Sequence, residues 1–422
     1  MSISAVAVPR KPSVGARRFF AVLGPGLVVM LADTDVGSII TAGQSGVQWG
    51  YRLLLLQIAL MPILYVVQEL TVRLGIFTGK GHGELIRDVF GRRWAWLSVT
   101  GLGVASVGAL LTEFSGVAGV GELFGVPRGI SLLVVVIFLL AVVWTGSYRR
   151  VELVAIALGL FECAFFWIAY CGRPQAAELV RGLMQFPLGN KDYLYLVAAN
   201  IGAVIMPWMI FYQQSAVADK KLLPEDYKSA RWDTCLGAVA TQLVMAAVLI
   251  ATAATIGKAG GGSSGGAGNL DSVGEMANAL TPFLGPMAGR VIFGLGVTGA
   301  AMVAAIVVSL ACAWGFGEIA GYKHSLEHHP LEAPWFYIVY TAAVVGGAII
   351  VAEVPDLVSL NVAVEVMNAL LLPLVLGFLV ALAMRALPKE HRLRGTYRWI
   401  VIGLSSLVAA LGVYGGIAGI WS

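Results

Sequence analysis

The chain has 422 residues, of which 58% are hydrophobic and only 12% charged, against about 25% charged in an average soluble domain. Mean hydropathy is +0.83. A soluble fold of this size has no place for so much apolar surface, because its exterior must stay partly polar. The composition therefore excludes a soluble enzyme, a disordered chain and a nucleic-acid binder, and the net charge of +4 is no basic patch. Cys163, Cys171, Cys235 and Cys312 stand singly, without C-x-x-C spacing. Neither a zinc site nor a disulfide framework is indicated, and buried packing thiols are the simpler reading.

Eleven apolar runs are long enough to span a bilayer, at roughly 20–45, 52–76, 95–122, 129–146, 151–172, 193–217, 235–257, 286–318, 334–353, 357–384 and 398–420. The first is too long for a signal peptide and lacks a suitably placed cleavage site. Lysine and arginine in the short loops set the expected orientation. With the N-terminus in the cytoplasm, the inner segments hold Arg10, Lys11, Arg17 and Arg18, the clusters from Lys80 to Arg93 and from Lys220 to Arg231, Arg149, Arg150 and Lys323, and the run from Arg385 to Arg398. The outer loops then hold only Arg52, Arg128, Arg173, Arg181, Lys191 and Lys258. An odd number of spans puts the C-terminus outside. The chain reads as one membrane domain over 1–422, and the glycine-rich stretch 260–269 reads as a flexible external loop.

Two spans carry breaks that a plain anchor would not need. The first contains Gly24-Pro25-Gly26 and then Asp33-Thr34-Asp35-Val36-Gly37-Ser38. Carboxylates at mid-span are expensive unless they face a partner or a wet cavity. Asp33 and Asp35, at i and i+2, cannot share one helical face, so unwound backbone is expected at Asp35–Gly37. The sixth span is interrupted at Met206-Pro207, where proline removes a helical hydrogen bond. Gly202 and Ala203 precede that break, and Trp208, Tyr212, Gln213, Gln214 and Ser215 follow it. Broken spans five apart point to two inverted five-helix repeats, about 20–172 and 193–384, with an added helix at about 398–420 and a substrate site at the midplane.

At these residues the sequence resembles the Nramp family of divalent metal transporters, in a divergent branch. Asp35-Val36-Gly37-Ser38 followed by Gln44-Ser45-Gly46 is similar to the family's Asp-Pro-Gly-Asn and its downstream Gln-Ser-Gly. Arg73-Leu74-Gly75 with Thr78-Gly79-Lys80 resembles the end of its second helix, Met206-Pro207 the start of its Met-Pro-His, and Leu372-Pro373 the Leu-Pro of its tenth helix. The resemblance implies an all-α, leucine-transporter-type fold with helices one and six broken, working by alternating access. It implies metal ligands at Asp35, at Met206 and at a backbone carbonyl near Ala203. The departures are as informative. Ser38 stands for the family's Asn, Val36 for its Pro and Trp208 for its His. Leu110 stands three residues before Glu113, where the family has an Asp, and Glu365 aligns with a family Gln. No histidine lies within a span, so the family's usual proton route is expected to be largely absent.

Each residue also has a plainer reading. Asp35 is a ligand or a helix cap, Met206 a ligand or packing, and Glu365 a ligand or a structural hydrogen-bond partner. Glu113 and Asp33 are the candidates for coupling or gating. Trp208, Gln213 and Gln214 stand behind the site, where the glutamines either contact an organic substrate or tie helices together. Glu69 is expected to pair with Arg73 at i,i+4, and Glu152 and Asp233 with neighbouring arginines. The function expected is import of a divalent cation, Mn²⁺ or Mg²⁺, without a cofactor. The alternative is an organic substrate such as citrate, a metal–citrate chelate or an amine. An enzyme is not expected, and the only other partner indicated is the lipid bilayer, with no obligate protein partner and no nucleic acid.

Overall fold

The computed structural model describes residues 24–259, 274, 277, 285–353 and 358–420. The stretch 260–269 and the basic residues Arg10, Lys11, Arg17 and Arg18 lie outside the described residues. Among the described residues every regular element is helical. In chain order they are α1 (Pro25–Asp33), α2 (Val36–Trp49), α3 (Leu54–Thr78), α4 (His82–Phe90), α5 (Arg92–Leu123), α6 (Arg128–Val143), α7 (Tyr148–Gly159), α8 (Ala164–Cys171), α9 (Ala176–Leu183), α10 (Lys191–Val204), α11 (Pro207–Asp219), α12 (Tyr227–Ala259), α13 (Pro286–Ala320), α14 (Pro334–Glu353), α15 (Val358–Arg385) and α16 (Gly395–Ile420). Short 3-10 turns at Gly50–Leu53, Leu160–Cys163 and Pro224–Asp226 join neighbours.

Nine helical stretches among the described residues are long and apolar enough to cross a membrane, where the sequence predicts eleven. The difference has a local cause. Val36–Thr78 runs 43 residues without a gap, because the 3-10 turn at Gly50–Leu53 links α2 directly to α3 where the sequence divides two spans. Gly50 takes φ +58° at that link, a left-handed conformation that costs glycine least. The second missing span is α6, Arg128–Val143, which is apolar but, at 16 residues, shorter than all nine of those stretches.

Burial identifies the centre of the bundle. In Lys191–Asp219, holding both halves of the sixth span, 89% of the most apolar 18 residues are buried, whereas in Tyr148–Cys171, Pro334–Glu353 and Gly395–Ala418 the share is 39%. Helices with polar residues in a bilayer must turn them inward, and Asn200 on α10 and Gln213, Gln214 and Ser215 on α11 are all buried. Around them, α12 packs along α1 and α2, α15 packs against α10, α2 and α5, and α13 packs against α5 and α11. At Gly202 a side chain would overlap the backbone carbonyl of Glu365, so α10 and α15 meet backbone to backbone. That contact fixes where Glu365 enters the bundle.

Three expected details are revised. Glu152 pairs with Lys220 at 2.7 Å rather than with its neighbouring arginines. Asp233 caps the start of α1, accepting from the backbone N–H groups of Gly24, Gly26 and Leu27 at 2.9–3.2 Å. The free N–H groups of a helix start attract a carboxylate more strongly than a solvated arginine does. Of the cysteines only Cys312 is buried, and Cys163 is exposed on an outward-facing turn. The Glu69–Arg73 pair is present, with the guanidinium donating from Nη2 to both carboxylate oxygens at 2.8 and 3.0 Å.

Candidate substrate site between the broken helices

The first break falls at Thr34–Asp35, beginning one residue before the expected Asp35–Gly37 and ending two residues before its end. Helix α1 ends at Asp33, and Asp35 takes an extended conformation (φ −77°, ψ 175°) as the N-cap of α2. Its Oδ1 accepts from the Ser38 backbone N–H at 2.7 Å, satisfying one of the orphan donors of a helix start. Val36 and Gly37 are thereby already helical. The second break falls at Ile205–Met206. Met206 precedes a proline, which disfavours the helical conformation, and it lies at φ −96°, ψ 143°. Pro207 occupies the first position of α11, where its missing N–H costs nothing.

The two breaks are stitched together. Ser38 Oγ donates to the Ala203 carbonyl at 2.9 Å, joining α2 to the end of α10. Helix α15 brings Glu365 to the same place. A side chain at Gly37 would overlap Glu365 Oε1 and lie 3.5 Å from Asp35 Oδ1. Glycine at 37 is what lets two carboxylates close over one helix turn. Glu113, from α5, completes the ring: its Oε2 accepts from the Val36 N–H at 3.3 Å and its Oε1 from Thr112 Oγ1 at 3.0 Å. The N-terminus of α2, with its partial positive charge, thus faces Asp35, Glu113 and Glu365 together.

The satisfaction of these carboxylates is uneven. Asp35 Oδ2 and Glu365 Oε1 are buried and accept no hydrogen bond from the protein, while Glu365 Oε2 accepts from Asn368 Nδ2 at 3.1 Å. Asp35, Ser38, Met206, Glu113 and Glu365 are all fully buried, and Ala203 nearly so. A buried carboxylate oxygen left without a partner is costly, and two neighbouring carboxylates here each keep one. No group of three or more His, Cys, Asp or Glu side chains among the described residues forms a ready-made metal cage. Two carboxylates with backbone and thioether donors are the set available. Met206 sits at its break, fully buried.

A Gly37→Ala substitution should push the Glu365 carboxylate off α2. Uptake by the variant should fall at least about tenfold while its melting temperature changes little, since a displaced side-chain end is repaired more easily than displaced backbone. Transport assays on the folded variant check this.

The remaining predicted residues lie behind the breaks. Gln213 accepts from Thr71 Oγ1 at 2.6 Å and donates to Thr234 Oγ1 at 2.9 Å. Gln214 donates to the Lys80 carbonyl at 3.0 Å and contacts His82 Nδ1 through Oε1 at 2.9 Å. Both amides are engaged by neighbouring helices, in the manner of interhelical ties. Trp208 is fully buried with its indole N–H unpartnered. Asp33 Oδ2 accepts from Thr241 Oγ1 on α12 at 3.3 Å.

Sequence reasoning missed His82, which lies outside the spans on α4 but is wholly buried. It packs edge-on against Phe211, one residue beyond a glycine that abuts Glu318. Glu318 in turn accepts from the Gly83 N–H at 2.8 Å and from Ser215 Oγ. Only the i,i+1 placement of His82 beside Gly81 and Gly83 hinted at this. Burial pushes the imidazole from 6.5 down to about 4, with the Gln214 bond acting the other way. The unfolded chain therefore takes up the proton first. The stability His82 contributes is full above pH 6.5 and is lost as pH falls toward 4. Thermal unfolding from pH 7 to pH 4.5 should show this decline, and His82→Gln, which keeps a hydrogen-bonding group without a charge, should flatten it.

A bundle with two helices broken side by side and a buried acidic centre beside the breaks has the architecture of the broken-helix, inverted-repeat class of transporters. Residues 26–418 match the family described as natural resistance-associated macrophage protein-like, and the chain belongs to this Nramp family. It is similar to the divalent metal cation transporter MntH of Erwinia tasmaniensis, at 30% identity over 299 residues, covering 69% of this chain and 71% of that protein. MntH of Yersinia enterocolitica is 29% identical over 310 residues, covering 72% and 74%. Among solved structures, the Eremococcus coleocola manganese transporter, crystallised with an aromatic bis-isothiourea compound, superposes with a TM-score of 0.76 at 19% identity over 99% of this chain and 91% of that one. MhsT in complex with L-phenylalanine superposes at 0.61 with 13% identity, over 97% and 100%. These two likenesses establish the fold. The protein is a multi-pass membrane transporter and not an enzyme.

Proposed function

We propose that the chain is an alternating-access secondary transporter that imports a divalent cation, Mn²⁺ or Mg²⁺, across the cytoplasmic membrane. The observation that carries this reading is that the Asp35 and Glu365 carboxylates meet at Gly37, each keeping one buried oxygen, Asp35 Oδ2 and Glu365 Oε1, that accepts no hydrogen bond. Curated relatives named as divalent metal cation transporters support the substrate class. Carboxylate oxygens suit hard ions, and the Met206 thioether adds affinity for a transition metal. Glu365 supplies a full charge at a position where the family pattern has an amide, which favours the harder ion more than the usual donor set does. An organic anion would need a cationic group at the centre, and the groups that converge there are acids.

The two repeats, about 20–172 and 193–384, rock about the breaks, and the helix at about 398–420 stands outside them. The N-terminus lies in the cytoplasm and the C-terminus outside, following the lysine and arginine bias of the loops. Protons play a small part, because Leu110 and Trp208 stand where the family carries an acid and an imidazole.

Purified protein in liposomes tests the reading. It should take up Mn²⁺ and Mg²⁺, with internal acidification well below one proton per ion. Absence of flux for every divalent cation tried would overturn the substrate class. Stoichiometric acidification would overturn the proton reading alone.

A further inference from the structure

A groove of about 900 Å³ runs between α15 and α16, and none of the residues placed at the breaks lines it. Its walls are apolar apart from the hydroxyls of Ser405, Ser406 and Tyr414. Small side chains keep it open. Gly377, Ala381, Ala409 and Ala410 line it, and a side chain at Gly377 would meet nothing within 4 Å. One edge of α16 is tied down instead. A side chain at Gly412 would meet Ala369 at 3.2 Å, and one at Gly415 the Leu194 carbonyl oxygen at 2.5 Å. Helix α16 thus holds closely to α10 and the first half of α15, and leaves a gap along the second half. Leu407, Tyr414 and Ile417 on α16 are exposed, so the groove opens toward the bilayer.

One end of the groove, at Met384 and Ile402, meets the loop 385–398. That loop holds Arg385, Lys389, Arg392, Arg394 and Arg398 against one acid, Glu390. Arg392 closes it, donating from Nε to the Leu387 carbonyl at 2.7 Å and from Nη2 to the Arg385 carbonyl at 3.0 Å. The other four cations are exposed, and among the described residues none of them pairs with a carboxylate. Arg398 lies over the Trp399 ring, 5.4 Å from its centre, and that indole is 66% exposed. An exposed tryptophan at a span end marks the headgroup level, and Ile402 is a turn deeper. The apolar groove therefore begins where unneutralised cations meet the headgroups.

This arrangement calls for an amphiphile with an apolar tail and an anionic head. From Pro373 to Met384 α15 rises about 16 Å, and from Ile402 to Ala418 α16 rises about 24 Å. The hydrocarbon of one leaflet is about 15 Å thick, so an extended acyl chain fits. A second copy of the chain seated there about a two-fold axis would set the two cationic loops against each other. A phosphate relieves them, because guanidinium groups bind it in bidentate fashion. Arg394 and Arg398 stand at i and i+4 where α16 begins, and the N–H groups that open the helix add partial positive charge. We infer that α15 and α16 bind an anionic phospholipid, with its acyl chain in the groove and its phosphate at Arg394 and Arg398. Such a lipid binds whichever substrate the broken helices carry.

Native mass spectrometry of the full-length protein in detergent tests this, with phosphatidylglycerol and phosphatidylcholine of identical acyl chains as the probes. Phosphatidylglycerol should be retained at least about fivefold more than phosphatidylcholine. Arg394→Gln with Arg398→Gln should lower its retention at least about fivefold, whereas Arg149→Gln with Arg150→Gln, which removes the same charge from another loop, should leave it within about twofold of wild type. Gly377→Phe and, separately, Ala410→Phe fill the groove and should lower retention as far as the arginine pair does. Unchanged gel-filtration profiles and melting temperatures in lipid-free detergent show that the variants are folded. Equal retention of the two lipids, an equal loss in the Arg149 and Arg150 variant, or full retention in both groove-filling variants overturns the proposal. So does displacement of phosphatidylglycerol by inorganic phosphate, which gives the loop to a free anion. A dimer that Gly377→Phe splits also overturns it, and gives the groove to a second copy.

Discussion

Asp35→Asn should abolish divalent uptake while leaving the protein folded. The two effects separate because the two oxygens of Asp35 have separate tasks. Oδ1 caps α2 through the Ser38 N–H, and asparagine is as good an N-cap as aspartate. Oδ2 has no protein partner and carries the charge that a cation would meet. Replacing that charge in a buried, low-dielectric site should cost the bound ion about 3 kcal/mol or more, the scale on which one member of a buried charge pair matters. That corresponds to a fall in uptake of at least about a hundredfold. Initial rates in liposomes give the fall, and an unchanged melting temperature shows that the cap survives. Asp35→Ala should lose both, since it removes the cap as well. If Asp35→Asn transports at the wild-type rate, Asp35 is a cap and nothing more.

Glu365→Gln should change which ion is carried more than how much. The amide still offers an oxygen to Asn368, which donates to Glu365 at 3.1 Å, and the contact of α15 with Gly202 is made by backbone and is unaffected. What is removed is one of two carboxylate charges over Gly37. Mg²⁺ depends on hard, charged oxygens, whereas Mn²⁺ also gains from a softer donor such as the Met206 thioether. Mg²⁺ uptake should therefore fall about tenfold further than Mn²⁺ uptake, and Mg²⁺ should compete correspondingly less well for Mn²⁺ entry. Met206→Ala should shift the balance the other way. Equal losses for both ions in Glu365→Gln would show that Glu365 holds the helices and does not select the ion.

The breaks themselves were legible in the sequence because their causes are local. Proline after Met206 and the aspartates beside Gly37 act on the backbone within a turn or two, so spacing alone located both to within two residues. The acidic character of the site was legible for the same reason. The oxygen left free on each carboxylate was not. Whether Asp35 caps or ligates depends on how its two oxygens divide their bonds. Whether Glu365 faces the site depends on Gly37 and Gly202, residues far from it in sequence that admit it by having no side chain. Asp233 shows the same limit. Its charge suggested an arginine nearby, but its partners are backbone N–H groups at Gly24–Leu27, some two hundred residues away. His82 lay outside every predicted span, and only packing of α4 under α11 and α13 buries it. Pairings of long sequence separation, with glycine as the silent partner, are what single-sequence reasoning does not see.

Crystals grown with Mn²⁺ and measured at the manganese absorption edge give the most direct check. One anomalous peak should lie in bonding contact with the Asp35 and Glu365 carboxylates, and it should vanish when Mg²⁺ replaces Mn²⁺ while the ordinary density there remains. Anomalous density away from both carboxylates, or organic density in their place, would contradict a divalent-cation site at the two breaks.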